Sequence, residues 1–339
     1  MAAAQHLQWG VVGTGGIAGD FAQALQHSER CRVVNVVGSS REKGRAFAER
    51  WALPRASDTL DDLLADREVD AVYVASPHPL HEAQALAAIA ARKAVLCEKP
   101  MTIDAAGTER LIAAARAQGV FLMEAFMYRC HPLVREMLAR LADGAIGPVR
   151  HVRADFSFRV PRNPEGRLFN LGLGGGGILD VGGYPMSFAR LIAGHVAGTA
   201  FAEPVRLDAI GHIGPTGADE IATALLGFAS GLSASVTCGV FHDAGTTAVV
   251  FGERGKIVLP NPWIPEGSRQ ALASRLFIHR DGRETEEVTV QTRLPTYGIE
   301  AELVAECLPR LEAPPPAMSW ADSLGNMRAL DRWREQLQR

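Results

Sequence analysis

Three groups of residues in this chain have the types and spacing to do chemistry. Gly13, Gly15 and Ala18 stand in the spacing G-x-G-x-x-A, after an apolar run that reaches Val12. Phe21, Ala22, Ala24 and Leu25 follow at helical spacing, which predicts strand, tight turn and helix start. In such a unit Gly13 allows the turn, Gly15 lets backbone approach a pyrophosphate, and small Ala18 lets helix press on strand. The N–H groups at the helix start, with its dipole, favour a phosphate. Gly13, Thr14, Gly15, Gly16 and Ile17 are therefore expected to hold a dinucleotide. Lys99 follows the strand-like run 93–97, at the sheet end where the nicotinamide crevice of such a fold lies. Asp180 and Tyr184 stand four apart at a helix start, so both face one side. Hydride transfer from a secondary alcohol or hemiacetal needs a cofactor, a proton acceptor at the hydroxyl and a positive group near that oxygen. An ammonium at Lys99 can supply the last.

The choice of cofactor is made at the end of the second strand, residues 31–38. NAD sites usually place an Asp or Glu there to accept bonds from the ribose 2′-hydroxyl. Here the chain reads Gly38-Ser39-Ser40-Arg41, with no acid on the last strand residues. Ser39 and Ser40 can donate to a phosphate and Arg41 can pair with it. NADP is expected, and NAD is the lesser expectation. The strand 70–75 runs into Ser76-Pro77-His78-Pro79-Leu80-His81. That loop shares the carboxyl end of the sheet with the glycine turn, so Ser76, Pro77, His78 and His81 are expected to line the cofactor, as are Glu98 and Lys99. H-x-x-H without a third ligand is poor support for a metal, and none is expected.

The elements that must position these groups follow from periodicity. Strand-like runs at 7–12, 31–38, 70–75, 93–97 and 120–123 alternate with helical patterns, including 82–91 and 108–118, and a short helix capped by Asp58. This predicts an α/β fold, with a doubly wound parallel sheet whose strands are joined by helices. After residue 125 the pattern changes. A longer strand at 149–160 precedes the glycine-rich turn 174–177, a helix over 178–192, and strand-like runs at 220–228, 232–240, 246–251, 256–259 and 274–279. These predict a C-terminal α+β domain with a large, mostly antiparallel open sheet. The expected domains are 1–125, binding dinucleotide, and 126–339, binding substrate and a second copy. Helices at 299–311 and 322–337 close the chain, the last packing back near the first domain.

Composition excludes several classes. Hydrophobic residues make up 47% of the 339 and charged residues 22%, with a formal net charge of −3. That balance is ordinary for a globular protein and lacks the basic face a nucleic acid needs. Cys31, Cys97, Cys130, Cys238 and Cys307 are dispersed with no C-x-x-C pair, as reduced thiols in the cytoplasm would be. No apolar span is long enough for a membrane helix, and with six residues before the first strand no signal peptide is expected.

Taken in order, the glycine turn, Ser76-Pro77…His81, Glu98-Lys99-Pro100, Glu124-Ala125-Phe126-Met127-Tyr128-Arg129, Gly175 to Pro185 and Asp322 to Arg328 resemble the Gfo/Idh/MocA oxidoreductases over nearly the whole chain. The Phe-Met-Tyr-Arg and Gly-Gly-Tyr-Pro versions are nearest the D-xylose dehydrogenase and dimeric dihydrodiol dehydrogenase branch. The resemblance implies a Rossmann domain, a Lys99–Pro100 bond that is often cis, and catalysis by Lys99, Asp180 and Tyr184. In that pattern Asp180 orients substrate hydroxyls or Lys99, and Tyr184 is the proton donor and acceptor. A free phenol ionises only near pH 10, so Tyr184 needs Lys99 or the cofactor charge beside it. Tyr128, Arg129 and His131 are placed to reach substrate, although packing accounts equally well for Tyr128. Arg159, Arg162 and Arg167 either bind a polyol or acid or are solvated. The implied activity is NADP-dependent hydride transfer with a pyranose sugar, at C1, or a cyclic polyol. Trans-1,2-dihydrodiol oxidation is the enzymatic alternative, and a cofactor-sensing regulator on the same fold is the non-enzymatic one. A homo-oligomer, dimer or tetramer, is expected through the open sheet face.

Overall fold

The computed structural model describes residues 6–337. The chain divides into two compact units. One comprises the chain up to Thr102, Ala106–Cys130 and Arg293–Ser323; the other comprises Ile103–Ala105, His131–Thr292 and the chain from Leu324.

The first unit begins with β1 (Leu7–Val12), α1 (Gly16–Leu25), β2 (Cys31–Val37), α2 (Arg41–Arg50), β3 (Arg55–Ser57) and α3 (Leu60–Ala65). It continues with β4 (Ala71–Val74), α4 (His78–Ala90), β5 (Ala94–Glu98), α5 (Ala105–Gln118), β6 (Leu122–Ala125) and the single turn α6 (Met127–Cys130). The strand order is β3-β2-β1-β4-β5-β6, and each pairing is parallel. Helices cover such a sheet on both faces, so β4 and β5 are buried along their whole length without alternation. The order reverses between β1 and β4, which opens a crevice at their carboxyl ends. The edge strand β3 has three half-buried residues and no apolar pattern, so its sequence carries no strand signal. The short helix α3 is capped by Thr59 rather than Asp58. Thr59 Oγ1 accepts from the Asp62 N–H and the Asp62 carboxylate accepts from the Thr59 N–H, a reciprocal capping box. α4 starts one turn earlier than its alanine pattern suggests, because Pro79 in its first turn has no N–H to leave unsatisfied.

The second unit holds α7 (Pro132–Ala142), β7 (Val149–Ser157), α8 (Gly183–Ala197) and the strands β8 (Pro204–Ile213), β9 (Asp219–Phe228), β10 (Ser233–Gly239), β11 (Ala248–Gly252), β12 (Gly255–Leu259), β13 (Ala273–Arg280) and β14 (Glu286–Gln291). They form one sheet in the order β14-β13-β12-β11-β7-β10-β9-β8, antiparallel except where β7 meets β10. Val152, Ala154 and Phe156 on β7 and Ala234, Val236 and Cys238 on β10 alternate inward, and α8 packs on both strands. α8 is buried over twelve successive residues, Gly183 to Gly194. The exposed apolar side chains Val205, Ile210 and Leu225 lie on β8 and β9. α7 was absent from the sequence expectation, although Leu133, Val134, Met137 and Leu141 form an apolar stripe behind a proline at the helix start. The chain then returns through α9 (Thr296–Cys307), which packs on α1 within the first unit, and ends in α10 (Trp320–Leu337).

Candidate active site

The glycine turn folds as its spacing requires. Gly13 has φ +111°, a conformation that side chains rarely adopt, and a Cβ there would lie 2.6 Å from the Ala75 carbonyl oxygen. Backbone bonds hold the approach: Gly13 N–H donates to Val37 O at 2.9 Å, and Ala75 N–H to Val12 O at 2.8 Å. A Cβ at Gly15 would meet nothing within 4 Å, and as N-cap of α1 Gly15 offers its first-turn N–H groups no side chain. Open space above unsatisfied helix N–H groups is what a pyrophosphate fills, so this turn fits a dinucleotide.

A cleft of about 740 Å³ runs from that turn. Gly13, Thr14, Gly15, Ser39, Ser76 and Pro77 line it, whereas Gly16, Ile17, Ser40, Arg41, His78 and His81 do not. At its far end Lys43 and Arg50 add positive charge. Lys43 Nζ donates to Ser39 Oγ at 3.2 Å, and Ser40 caps α2 by accepting from the Lys43 N–H. Arg41 is instead paired with Asp58, which itself lines the cleft. The sequence signal for Lys43 was its place four residues after Ser39, in the first turn of α2 beyond the Ser40 cap.

His81 is fully buried, with Nδ1 2.9 Å from the Pro100 carbonyl and Nε2 2.8 Å from the Ser76 carbonyl. Burial holds its pKa below the ordinary histidine range. It ties the loop after β4 to the segment after β5. His78 is half-buried, its ring edge-on to His81. Among the described residues, no group of three or more His, Cys, Asp or Glu could hold a metal.

Glu98 ends β5 and accepts from the Tyr73 hydroxyl and, at 3.2 Å, from the Lys99 N–H. Lys99 is half-buried, and the Lys99–Pro100 peptide is cis. Behind Glu98 lies Glu300 of α9, fully buried, neither carboxyl oxygen having a hydrogen-bond partner. Burial first, and then the charge of Glu98, push its pKa well above the usual carboxylate range, which favours the protonated form. Nothing in the spacing pointed to it.

Tyr128 and Arg129 are both buried. Arg129 Nη2 donates to Asp322 Oδ2 at 2.8 Å and its Nε to the Pro316 carbonyl at 2.6 Å, an anchor inside the first unit. Tyr128 packs edge-on against Phe126.

In the second unit, residues Ile178–Gly182 wind as a π-helix before α8 begins at Gly183. Such wide turns frequently occur at functional sites. Asp180 lies within it and Tyr184 just beyond, each about 4% exposed. Arg167 Nη1 donates to Asp180 Oδ1 at 2.6 Å. The Tyr184 ring meets Phe156 edge-on at 5.1 Å and Trp263 at 5.8 Å, and Trp263 Nε1 is fixed by the Asp155 carbonyl. Arg162 makes two 2.7 Å bonds to buried Glu220 and lies over Phe241, while Arg159 is exposed. Arg162 and Arg167 thus pair with buried carboxylates while their own side chains stay exposed to solvent.

Comparison with known proteins agrees with this geometry. Residues 7–126 match "Oxidoreductase family, NAD-binding Rossmann fold", and residues 134–258 match "GFO/IDH/MocA C-terminal domain". The chain is 36% identical over 261 residues to trans-1,2-dihydrobenzene-1,2-diol dehydrogenase of Mus musculus, covering 76% of each. It is 32% identical over 323 residues to that of Oryctolagus cuniculus, covering 92% of this chain and 93% of the other. A 3-ketoreductase from Actinomadura kijaniata, solved with NADP and TDP-benzene, superposes with TM-score 0.84 at 27% identity over 98% of both chains. With a Rossmann unit whose glycine turn fits a dinucleotide and a second, mostly antiparallel sheet, the chain belongs to the Gfo/Idh/MocA family of NAD(P)-dependent oxidoreductases.

Proposed function

We propose that the protein transfers a hydride between NADP and a ring carbon of a pyranose, at C1, or of a related cyclic polyol. Bound nicotinamide would supply the hydride acceptor or donor. The observation that carries the substrate reading is the Arg167–Asp180 pair one turn from Tyr184. The buried Asp180 carboxylate would accept from a hydroxyl adjacent to the reacting one, and Tyr184 would take the proton of the reacting hydroxyl with Lys99 assisting. The phosphates are held by Gly13, Thr14, Gly15, Gly16 and Ile17, and the 2′-phosphate by Ser39 and Lys43, with Ser40 capping α2 and Arg41 paired with Asp58. Ser76 and Pro77 line the same cleft, His78, His81 and Glu98 support it, and Tyr128 and Arg129 act through packing. The division of labour follows the expected domains, 1–125 for the nucleotide and 126–339 for the substrate.

A second reading, oxidation of trans-1,2-dihydrodiols, is favoured by the dihydrodiol dehydrogenase relatives and by Phe156 and Trp263 beside Tyr184. Both substrate classes are six-membered rings with adjacent hydroxyls. A panel of pentoses, hexoses, inositols and trans-dihydrodiols, followed by NADPH absorbance, separates them: the sugar reading requires the highest kcat/KM on a sugar or inositol, and a tenfold advantage for a dihydrodiol reverses it. In the same assay Lys99→Ala should lower kcat by a factor of 100 or more, on the order of a lost general acid–base, with NADP affinity within about twofold. Retained turnover removes Lys99 from the mechanism. Five buried cysteines outside any disulfide support a cytoplasmic location, and the apolar surface of β8 and β9 supports a homo-oligomer. No described helix is long and apolar enough to cross a membrane.

A further inference from the structure

We infer that Asp219 is a positioning residue for this reaction: its buried carboxylate is the peg on which the turn carrying Asp180 and Tyr184 is wound. The inference rests on the proposed roles of those two side chains.

Asp219 opens β9. Its Oδ2 accepts from the Ile178 N–H at 2.7 Å, and the Gly177 N–H is also bonded to the carboxylate. These are the first N–H groups of the helical run that contains the π-turn Ile178–Gly182 and then α8. Such groups have no partner within the run, and a carboxylate at that end also meets the positive pole of the helix. The approach leaves no space for side chains. Gly176 has φ +120°, and a Cβ there would lie 2.2 Å from Asp219 Oδ1; a Cβ on Gly177 would lie 3.3 Å from Oδ2 and 3.1 Å from the Gly239 Cα. The glycine-rich turn is thus wrapped onto one carboxylate. Asp180 N–H bonds back to the Gly176 carbonyl at 3.1 Å, so the placement of Gly176 is handed directly to Asp180. Tyr184 follows one turn later on the same run.

The electrostatic setting makes this peg titratable in a useful range. Burial outweighs the amide bonds and raises Asp219 to about 6. The groups facing it are few. Arg334 of α10 is the positive neighbour, and Cys238 of β10 is a neutral thiol pushed up by its own burial. Asp180 is held by Arg167, and adjacent Glu220 by Arg162. Below about pH 6 Asp219 gains a proton and one oxygen stops accepting, which slackens the turn.

The test is Asp219→Asn, which keeps the shape and turns an acceptor into a donor facing N–H groups. Expected are a 10- to 100-fold lower kcat at pH 7.5, NADP affinity within twofold, an acid limb near pH 6 in log kcat of the unaltered enzyme, and loss of that limb in the variant. A merely structural aspartate would lower melting temperature and active fraction but leave the pH profile per active site unmoved; that result overturns the inference, as does a kcat within threefold of the unaltered enzyme. Tyr184→Phe is measured alongside. If it retains full turnover, the proposed catalytic reading fails; if it is inactive while Asp219→Asn keeps both rate and acid limb, only the present inference fails. Hydrogen exchange of the unaltered protein at pH 7.5 and pH 5.0, corrected for intrinsic rates, decides the matter should Asp219→Asn not fold. Amides 177–182 should lose protection at pH 5.0, and unchanged protection is the contrary result.

Discussion

Lys43→Ala asks which residue reads the 2′-phosphate. Lys43 Nζ and Ser39 Oγ are 3.2 Å apart on the wall of the nucleotide cleft, where an anion can bridge them. Arg41, the residue whose type suggested the same role, is already paired with Asp58. A hydrogen bond to a charged group contributes about 1.5–3 kcal/mol when shielded from water. Lys43 is exposed, so solvent and salt screen part of that. With about 1.4 kcal/mol per factor of ten, the expected weakening of NADP binding is about 5- to 30-fold. NAD carries no 2′-phosphate, so its Kd should change less than about twofold. Titration of both nucleotides by calorimetry, at low and at moderate salt, gives the comparison, and the NADP loss should shrink at the higher salt. Equal weakening of both nucleotides would refute the reasoning, because Lys43 would then act on the fold or the shared phosphates. An unchanged NADP affinity would return the role to Arg41.

Two further predictions concern stability. Arg129→Met leaves the Asp322 carboxylate and the Pro316 carbonyl buried without their donor, so a loss of about 3–5 kcal/mol is expected; a melting temperature within 2 °C of the unaltered protein, about the shift of 1 kcal/mol or less, contradicts that account. His131 caps α7 by accepting from the Leu133 N–H, and burial lowers its pKa to about 4. Its folded state therefore binds fewer protons than the unfolded chain, in which histidine titrates near 6.5, so stability rises with pH between 4 and 6.5. The contribution lost on acidification approaches about 3 kcal/mol. His131→Asn keeps a capping acceptor without the titration, so urea midpoints measured from pH 4 to 7.5 should flatten. A variant whose midpoint falls with acid as steeply as the unaltered protein's excludes His131 as the source.

Much of this protein was legible in order along the chain. The spacing G-x-G-x-x-A, the short apolar strands and their alternation with helices express local constraints: a turn only glycine can make, and strands buried on both faces. The resemblance spread over six ordered motifs pointed to the family that the comparisons show. What the sequence could not carry are partnerships between residues far apart. Arg41 and Lys43 are both cations on one helix turn, and only the fold brings Asp58 to Arg41 and leaves Lys43 on the cleft wall. Arg129, Arg162 and Arg167 look alike as exposed or ligand-binding arginines until Asp322, Glu220 and Asp180 are seen beside them. The run Gly174 to Gly177 announces a turn, but the carboxylate around which it closes comes from β9, more than 40 residues later. A side chain's type sets what it can bond, whereas burial and the long-range closure of the chain choose the partner. The glycine turn could thus be read from the sequence alone, while the identity of every buried ion pair belonged to the tertiary structure.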